Sequence, residues 1–423
     1  MDNKTYIYES PDGGKTVYRR ERGNYSTDRE LVEEEKEFSW PLMKDCITEQ
    51  DKEAMIDFLK NNSRLTNGPK VKQFEKEWSE WLGVKHSVMI NSGAMGNYMT
   101  ISIMKEKKKR RHGEVIVPSM CWVSDVSSIV NLGLKPVFVD IDFSNLAMSL
   151  ENIKKATNDQ TLGIVLVHLL GFNALTDELL DFVKERNLYL IEDVCESHGV
   201  QHNGLKGGTF GDISVFSFYF GHHMTTIEGG MVCTNDDETY ELAKMFRSHG
   251  FVREGSDKTI NHFKEKYPEV HPLFTFGVPG YNVRSTELNA VLGLEQIQRL
   301  DYNIEKRQEN FRLWVSLLDE EKYYTDYLEK GSSNFALPLI VNNGDAGLLD
   351  RVCVLLNNER VEYRLGMAGG GNQALQPYLR EYPVTTHDLK NIQYAHDFGL
   401  YLGNHPELTI EQISDLCREL NSL

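Results

Sequence analysis

Between residues 87 and 235 the chain returns again and again to short apolar runs: SVMIN (87–91), EVIVP (114–118), KPVFVD (135–140), TLGIVLVHL (161–169), LYLIED (188–193), ISVFSF (213–218) and MVCTN (231–235). Helical stretches alternate with them. Unbroken apolar strands are buried on both faces, and strands that alternate with helices build βαβ crossovers. The pattern predicts an α/β fold with a parallel or mostly parallel central sheet covered by helices. Turn signals (NSG, GG, EGG) fall at the strand ends, where open α/β sheets place ligands.

Ahead of these strands, TEQDKEAMIDFLKNN and PKVKQFEKEWSEWLG read as amphipathic helices, the second with Pro69 near its start. Beyond them, residues 285–318 read as one long linking helix. Strands FALPLIV (335–341) and VEYR (361–364), with helices near 345–358 and 409–420, form a smaller C-terminal α+β unit. The division is therefore an N-terminal extension (1–44), a large domain with its linking helix (45–318) and a small domain (319–423). Residues 1–40 are rich in charge, Gly and Tyr. They are either an extension packed on the body or on a partner subunit, or a disordered arm.

The net charge of −17 argues against general affinity for nucleic acid or an anionic membrane. The N-terminus MDNKTYIYESPDGGKTVYRRERG has no apolar signal core, and no run approaches the roughly eighteen apolar residues of a membrane span. Cys46, Cys121, Cys195, Cys233, Cys353 and Cys417 are far apart, with no CxC or CxxC pair. That spacing speaks against a zinc or iron–sulfur site and suits a reduced cytoplasm.

Three strand-end motifs carry chemistry. In NSGAMGN (91–97), Gly93 lets the backbone approach a ligand, and the amides that follow, Ala94 included, open a helix as an anion site. An ordinary turn looks the same. In LIEDVCESHGV (190–200), Asp193 ends an apolar strand, placed to meet a cationic ring nitrogen or to cap the next helix, with Glu196 one turn on. In GGTFGDISVFSFYFGHHMTTIEGG (207–230), the Ser217 hydroxyl stands at a strand end where it can bind phosphate, and His222 follows on the turn.

Taken in order, NGPKVKQFEKEW, NSGAMGN, VPSMCW, IEDVCESHG, GTFGDISVFSFYF, TTIEGGMVCTND and PGYNVRSTELNAVLG resemble the sugar aminotransferase/dehydratase family of pyridoxal-phosphate enzymes over residues 45–423. The resemblance implies the aspartate-aminotransferase fold (fold type I). It implies that Gly93, Ala94 and Ser217 hold the cofactor phosphate, that Trp122 stacks on the ring, and that Asp193 pairs with the ring nitrogen. This chain has Ala94 and Met95 where many members carry a hydroxyl, so phosphate binding rests more on backbone amides. Glu196 stands where aminotransferases more often have Gln. Asn282 and Arg284 would reach in from the partner of an obligate homodimer, and His249, Arg253 and Arg364 would contact substrate.

Aminotransferases of the family carry a lysine at the position of His222. Imidazole forms no stable covalent link to the cofactor but remains a good general base. A histidine-bearing subgroup comprises sugar 3-dehydratases. The resemblance thus implies 3-dehydration of a nucleotide-linked 4-keto-6-deoxyhexose, with GDP-4-keto-6-deoxymannose the first candidate. Pyridoxamine phosphate would be the cofactor and L-glutamate the co-substrate that regenerates it. A branch with a cysteine-ligated iron–sulfur cluster and a reductase partner does not fit the scattered cysteines. The segment YRLGMAGGGNQALQPYL (363–379) lacks the expected Pro after Arg364 and aromatic residue after GGN. Gly369–Gly371 read as a looser loop, which leaves sugar and nucleotide open. The alternatives are a nucleotide-sugar aminotransferase with an unusual base, or an inactive paralogue that binds cofactor or sugar nucleotide.

Overall fold

The computed structural model describes residues 38–423, together with the backbone of three antiparallel strands, β1 (Tyr6–Glu9), β2 (Thr16–Glu21) and β3 (Glu30–Glu34). For the expectation on residues 1–40, how residues 1–37 pack on the body or a partner lies outside the described residues, and 38–40 are described below. Helices α1 (Glu49–Asn61) and α2 (Pro69–Leu82) come next. The first opens on a reciprocal Thr48–Asp51 capping box and the second on Pro69, which lacks only an amide that would be unpaired anyway.

The βαβ region follows as β4 (His86–Ile90), α3 (Gly93–Lys108), β5 (Glu114–Pro118), α4 (Val123–Asn131), β6 (Lys135–Val139), α5 (Leu150–Ala156), β7 (Thr161–Val167), α6 (Asp177–Glu185) and β8 (Tyr189–Asp193). A short hairpin, β9 (Gln201–His202) and β10 (Leu205–Lys206), leads into β11 (Ile213–Ser217) and β12 (Gly230–Thr234). Helices α7 (Asp237–Arg247), α8 (Asp257–Lys266), α9 (Glu287–Ile297) and α10 (Leu300–Leu317) complete the larger part. The remainder is β13 (Ala336–Ile340), α11 (Ala346–Asn358), β14 (Tyr363–Leu365), β15 (Thr385–Thr386), α12 (Lys390–Phe398), β16 (Gly399–Gly403) and α13 (Ile410–Ser422).

The central sheet has eight strands in the order β15-β6-β5-β7-β8-β11-β12-β4. Every neighbouring pair is parallel except those made by β12, which runs antiparallel to both β11 and β4. All residues of β7, β8, β11 and β12 are buried, so these strands show no period of two. Helices on both faces leave no wet side to alternate towards. The mostly parallel α/β sheet and the smaller C-terminal unit, with its antiparallel sheet β13-β16-β14, are as the sequence predicts.

The linking helix is not continuous. It breaks between α9 and α10 at Arg299, whose φ of −119° and ψ of 9° leave the helical region. The Arg299 guanidinium is bonded to the buried Asp51 carboxylate and, at 2.8 Å, to the Cys46 carbonyl, while Gln296 Nε2 donates to Asp51 Oδ2 at 2.8 Å. Tertiary bonds to the segment around α1 override helical periodicity at this point. Residues 39–42, just before α1, run along the C-terminal unit. Buried Trp40 donates Nε1–H to the Gly403 carbonyl at 2.8 Å, and the Leu42 amide donates to Glu362 Oε2 at 2.8 Å. Among the described residues no helix is long and apolar enough to cross a membrane.

Candidate active site

The first corner of the site follows from sheet register. Strand β12 lies between β11 and β4, and aligns Gly230 with Ser217 on one side and Ile90 on the other. That places Ser217 beside the turn from β4 into α3. Ser92 caps the helix, its Oγ accepting the Met95 amide at 3.2 Å. The amides of Gly93 and Ala94, in the first turn, have no intrahelical partner. A Cβ on Gly93 would lie 2.6 Å from Ser217 Cβ and 3.0 Å from Cys195 Sγ. A Cβ on Gly230 would lie 2.7 Å from the Ser92 carbonyl carbon. The missing side chains keep open a cradle where helix amides and a hydroxyl converge, a geometry suited to phosphate.

Asp193, at the end of β8, is buried. Its Oδ1 accepts the Cys195 amide at 2.9 Å, a turn bond and not a helix cap since no helix follows β8, while Oδ2 accepts Asn97 Nδ2 at 2.9 Å. The same amide donates to Asp125 Oδ1 at 3.0 Å and Ser124 Oγ at 3.2 Å. Asp125, in the first turn of α4, is fully enclosed and its Oδ2 has no partner. Burial, reinforced by the negative charge of Asp193, holds the Asp125 carboxyl well above the usual carboxylate range. Asp125 is thus held towards its neutral form beside Asp193, the two joined through the Asn97 amide. Sequence reasoning missed both Asp125 and Asn97. The available signal was a charged residue in the apolar, small-residue run VSDVSSIV, directly after the expected stacking tryptophan.

Glu196 reaches the Leu170 amide with Oε2 at 3.1 Å. Burial pushes its carboxyl up to about 7; the Leu170 amide opposes that rise, the charge of Asp193 adds to it, and Arg364 opposes it. Arg364 comes from β14, where register sets it opposite Tyr401 of β16, with Nη1 3.5 Å from the Tyr401 hydroxyl. Burial, and then Glu196, pushes the Tyr401 phenol up to about 12. Side chains of the C-terminal sheet therefore face the carboxylates at the end of β8.

His222 stands in the turn that joins β11 to β12. Gly221 takes a φ of 82°, and a Cβ on it would lie 2.7 Å from Met43 Cβ. The imidazole is buried, at right angles to Phe335 at 5.2 Å, with Tyr219 at 6.0 Å and His198 at 6.3 Å. Its Nδ1 is enclosed without a partner, so Nε2 is the nitrogen left to exchange a proton. Burial, followed by the charge of Arg307, pulls the ring down to about 3. His223 is fully buried and donates Nε2–H to the Ser333 carbonyl at 3.0 Å. That is a packing role.

Trp122 precedes α4 and is half exposed. One face of its indole lies on Gly369, where a Cβ would come within 1.9 Å of Trp122 Cζ3. Here the expectation of a loose loop is corrected. The Gln373 amide donates to the Ser119 carbonyl at 2.7 Å, Ser119 Oγ donates to Asn372 Oδ1 at 2.8 Å, and Gln373 Nε2 reaches the Cys121 and Gly369 carbonyls at 3.3 and 3.2 Å. Gly369 permits close approach to the indole and Gly371 to His396; the segment itself is tied down.

The other expected contacts lie apart from this group within one chain. His249 is exposed at a φ of 60°. Arg253 is exposed, stacked 3.9 Å over Phe251 and bonded to the Leu273 carbonyl at 3.0 Å. Exposed Asn282 pairs with Ser248, and Arg284 pairs with Ile90, at the threshold of the phosphate cradle. Among the described residues none of the four is hydrogen-bonded to His222, Asp193 or Ser217 through its side chain. The donor set nevertheless fits a pyridoxal phosphate: a glycine-opened anion cradle, a buried carboxylate for the ring nitrogen and an imidazole at the other edge.

The chain is similar along most of its length to known proteins. Residues 45–421 match the model of the DegT/DnrJ/EryC1/StrS aminotransferase family. The GDP-4-keto-6-deoxy-D-mannose 3-dehydratase of Yersinia pseudotuberculosis is 32% identical over 391 residues, covering 89% of this chain and 97% of that protein. The GDP-perosamine synthase of Escherichia coli O157:H7 is 27% identical, covering 90% and 97%. A solved GDP-4-keto-6-deoxymannose-3-dehydratase with a trapped PLP-glutamate geminal diamine superposes with a TM-score of 0.81 at 30% identity, covering 90% of this chain and 99% of that one.

Proposed function

Because the chain belongs to the DegT/DnrJ/EryC1/StrS aminotransferase family, with its fold-type-I pyridoxal-phosphate architecture, we propose that it is a pyridoxamine-phosphate-dependent 3-dehydratase of a nucleotide-linked 4-keto-6-deoxyhexose. The observation that carries this reading is the imidazole of His222 in the β11–β12 turn. Residues 217–236 contain no lysine, so the turn offers no amine to hold a cofactor covalently. GDP-4-keto-6-deoxymannose is the preferred substrate, by likeness to the Yersinia enzyme.

When bound, the cofactor supplies the electron sink. The chain's residues do the rest. Gly93, Ala94 and Ser217 hold the phosphate, Asp193 faces the ring nitrogen and Trp122 covers a ring face. His222 Nε2 takes a proton at the cofactor C4′ carbon and delivers it to the departing C3 hydroxyl. Burial keeps the ring neutral, with Nε2 open to accept a proton, and the charge of Arg307 favours passing that proton on. Glu196 and Arg364 orient the sugar. His249 and Arg253 contact substrate, and Asn282 and Arg284 reach into the partner's site in a homodimer. In the balance, the sugar loses oxygen at C3, L-glutamate is oxidised to 2-oxoglutarate, and its nitrogen leaves as ammonia.

Mass spectrometry of products from GDP- and dTDP-4-keto-6-deoxy sugars with glutamate tests the reading. A product one oxygen lighter, with free ammonia, supports it; a sugar retaining nitrogen makes the protein an aminotransferase. His222→Asn is expected to bind cofactor yet release no ammonia. His222→Lys is expected to gain a borohydride-trappable link to the cofactor.

A further inference from the structure

Arg307, on α10, is fully buried beside the catalytic turn and forms no ion pair among the described residues. An unpaired buried guanidinium is costly, and burial lowers its own affinity for the proton to about 10. Its hydrogen-bond partners are backbone carbonyls alone. Nη2 donates to His222 at 3.3 Å and Gly221 at 3.5 Å, while Nη1 donates to Phe335 at 2.9 Å and to Asn404. Gly221 and His222 belong to the turn; Phe335 and Asn404 flank β13 and β16 of the C-terminal sheet. Phe335 also presents its ring to His222 at 5.2 Å, with Arg307 Cζ 5.9 Å from the centre of that ring.

We propose that Arg307 is the positioning residue of His222, clamping the catalytic turn to the C-terminal unit and opposing positive charge on the imidazole. The inference rests on the reading of His222 as the base. The other titratable groups facing the imidazole are His198 and Tyr219, with His223 beside it on the turn; burial keeps His198 and His223 neutral. Cys46 and Glu407 raise the proton affinity of Arg307, and Lys44 and His405 stand against Glu407. Arg307 is therefore the fixed charge that acts on the ring. A planar fork bonded to several carbonyls holds direction as well as charge, which an ammonium cannot reproduce. An imidazolium formed here is pressed to pass its proton on, and the onward step is expulsion of the hydroxyl.

Arg307→Lys and Arg307→Gln, in the full-length enzyme with cofactor, separate the two parts. Both are expected to lower kcat by about 100-fold with KM little changed, the usual effect of an ångström-scale misplacement. The acid limb of the kcat–pH profile moves to higher pH in the Gln variant and stays in place in the Lys variant. Imidazole NMR of the cofactor-free proteins reads the link without turnover: His222 titrates higher in Arg307→Gln than in Arg307→Lys. If both variants keep kcat within about two-fold and the His222 titration is unmoved, the proposal is overturned. If the titration moves as stated while His222→Asn remains a fully active dehydratase, the base assignment fails and takes the catalytic role of Arg307 with it, leaving the charge coupling standing.

Discussion

Asp125 and Asp193 lie under a single Asn97 amide, and the enclosed member of the pair keeps its proton. Asp125→Asn keeps a neutral side chain of the same shape, with an oxygen for the Asn97 amide, and is expected to change stability by less than about 1 kcal/mol. Asp125→Ala takes an acceptor from the buried Asn97 amide, leaves a cavity and costs about 1–3 kcal/mol. Thermal melts distinguish these outcomes, and a strong gain from Asp125→Asn would mean that two charges had been held together. Glu196 makes a prediction in pH. Its carboxyl sits at about 7 in the folded chain and near 4.3 when unfolded, so the folded state holds the extra proton between those values. Its contribution is fully present below the unfolded value and is lost as pH rises through 7. Glu196→Gln removes that loss: relative to the variant, the parent should weaken by about 1–3 kcal/mol between pH 5 and pH 8.

At the level of elements, the cradle is a joint product of α3, β11 and β12. A methyl on Gly93 must displace Ser217 or Cys195, which stand 2.6 and 3.0 Å from its place. Gly93→Ala is expected to weaken cofactor binding by about ten-fold or more, one displaced contact being worth over 1 kcal/mol; fluorescence titration of the cofactor-free protein measures it. Much of this level was legible in the sequence. Buried strands such as TLGIVLV and SVFS announce themselves as continuous apolar runs, and the turns at 91–93 and 217–230 follow from Gly and Ser at strand ends. What was not legible depends on partners distant in sequence. The break at Arg299 is set by Asp51, and the ordering of Gly369–Gly371 by Ser119, Cys121 and Trp122. Arg307 looks like any other arginine on a helix until Phe335 and Asn404 are brought to it.

Across the whole molecule, the C-terminal unit is joined to the rest by Trp40, by Arg307 and by the segment from Gly369 to Gln373. Trp40→Ala removes a buried indole and its bond to Gly403, and is expected to cost about 3–5 kcal/mol, read as a lowered unfolding midpoint. If the unit were independently hinged, the loss would be confined to a separate, earlier transition. With exposed Asn282 proposed to reach a partner's site, sedimentation of the wild-type protein should give a dimer. The reversed direction of β12 has one more consequence. Because β12 returns antiparallel to β11, the chain between Ser217 and Gly230 is a closed hairpin, fastened at both mouths by register and at its tip by Arg307. Its tip residue can be exchanged without disturbing a single strand pairing. On the proposed role of His222, a single codon in this hairpin would turn the scaffold between nitrogen-keeping and oxygen-removing chemistries while its folding problem stays solved.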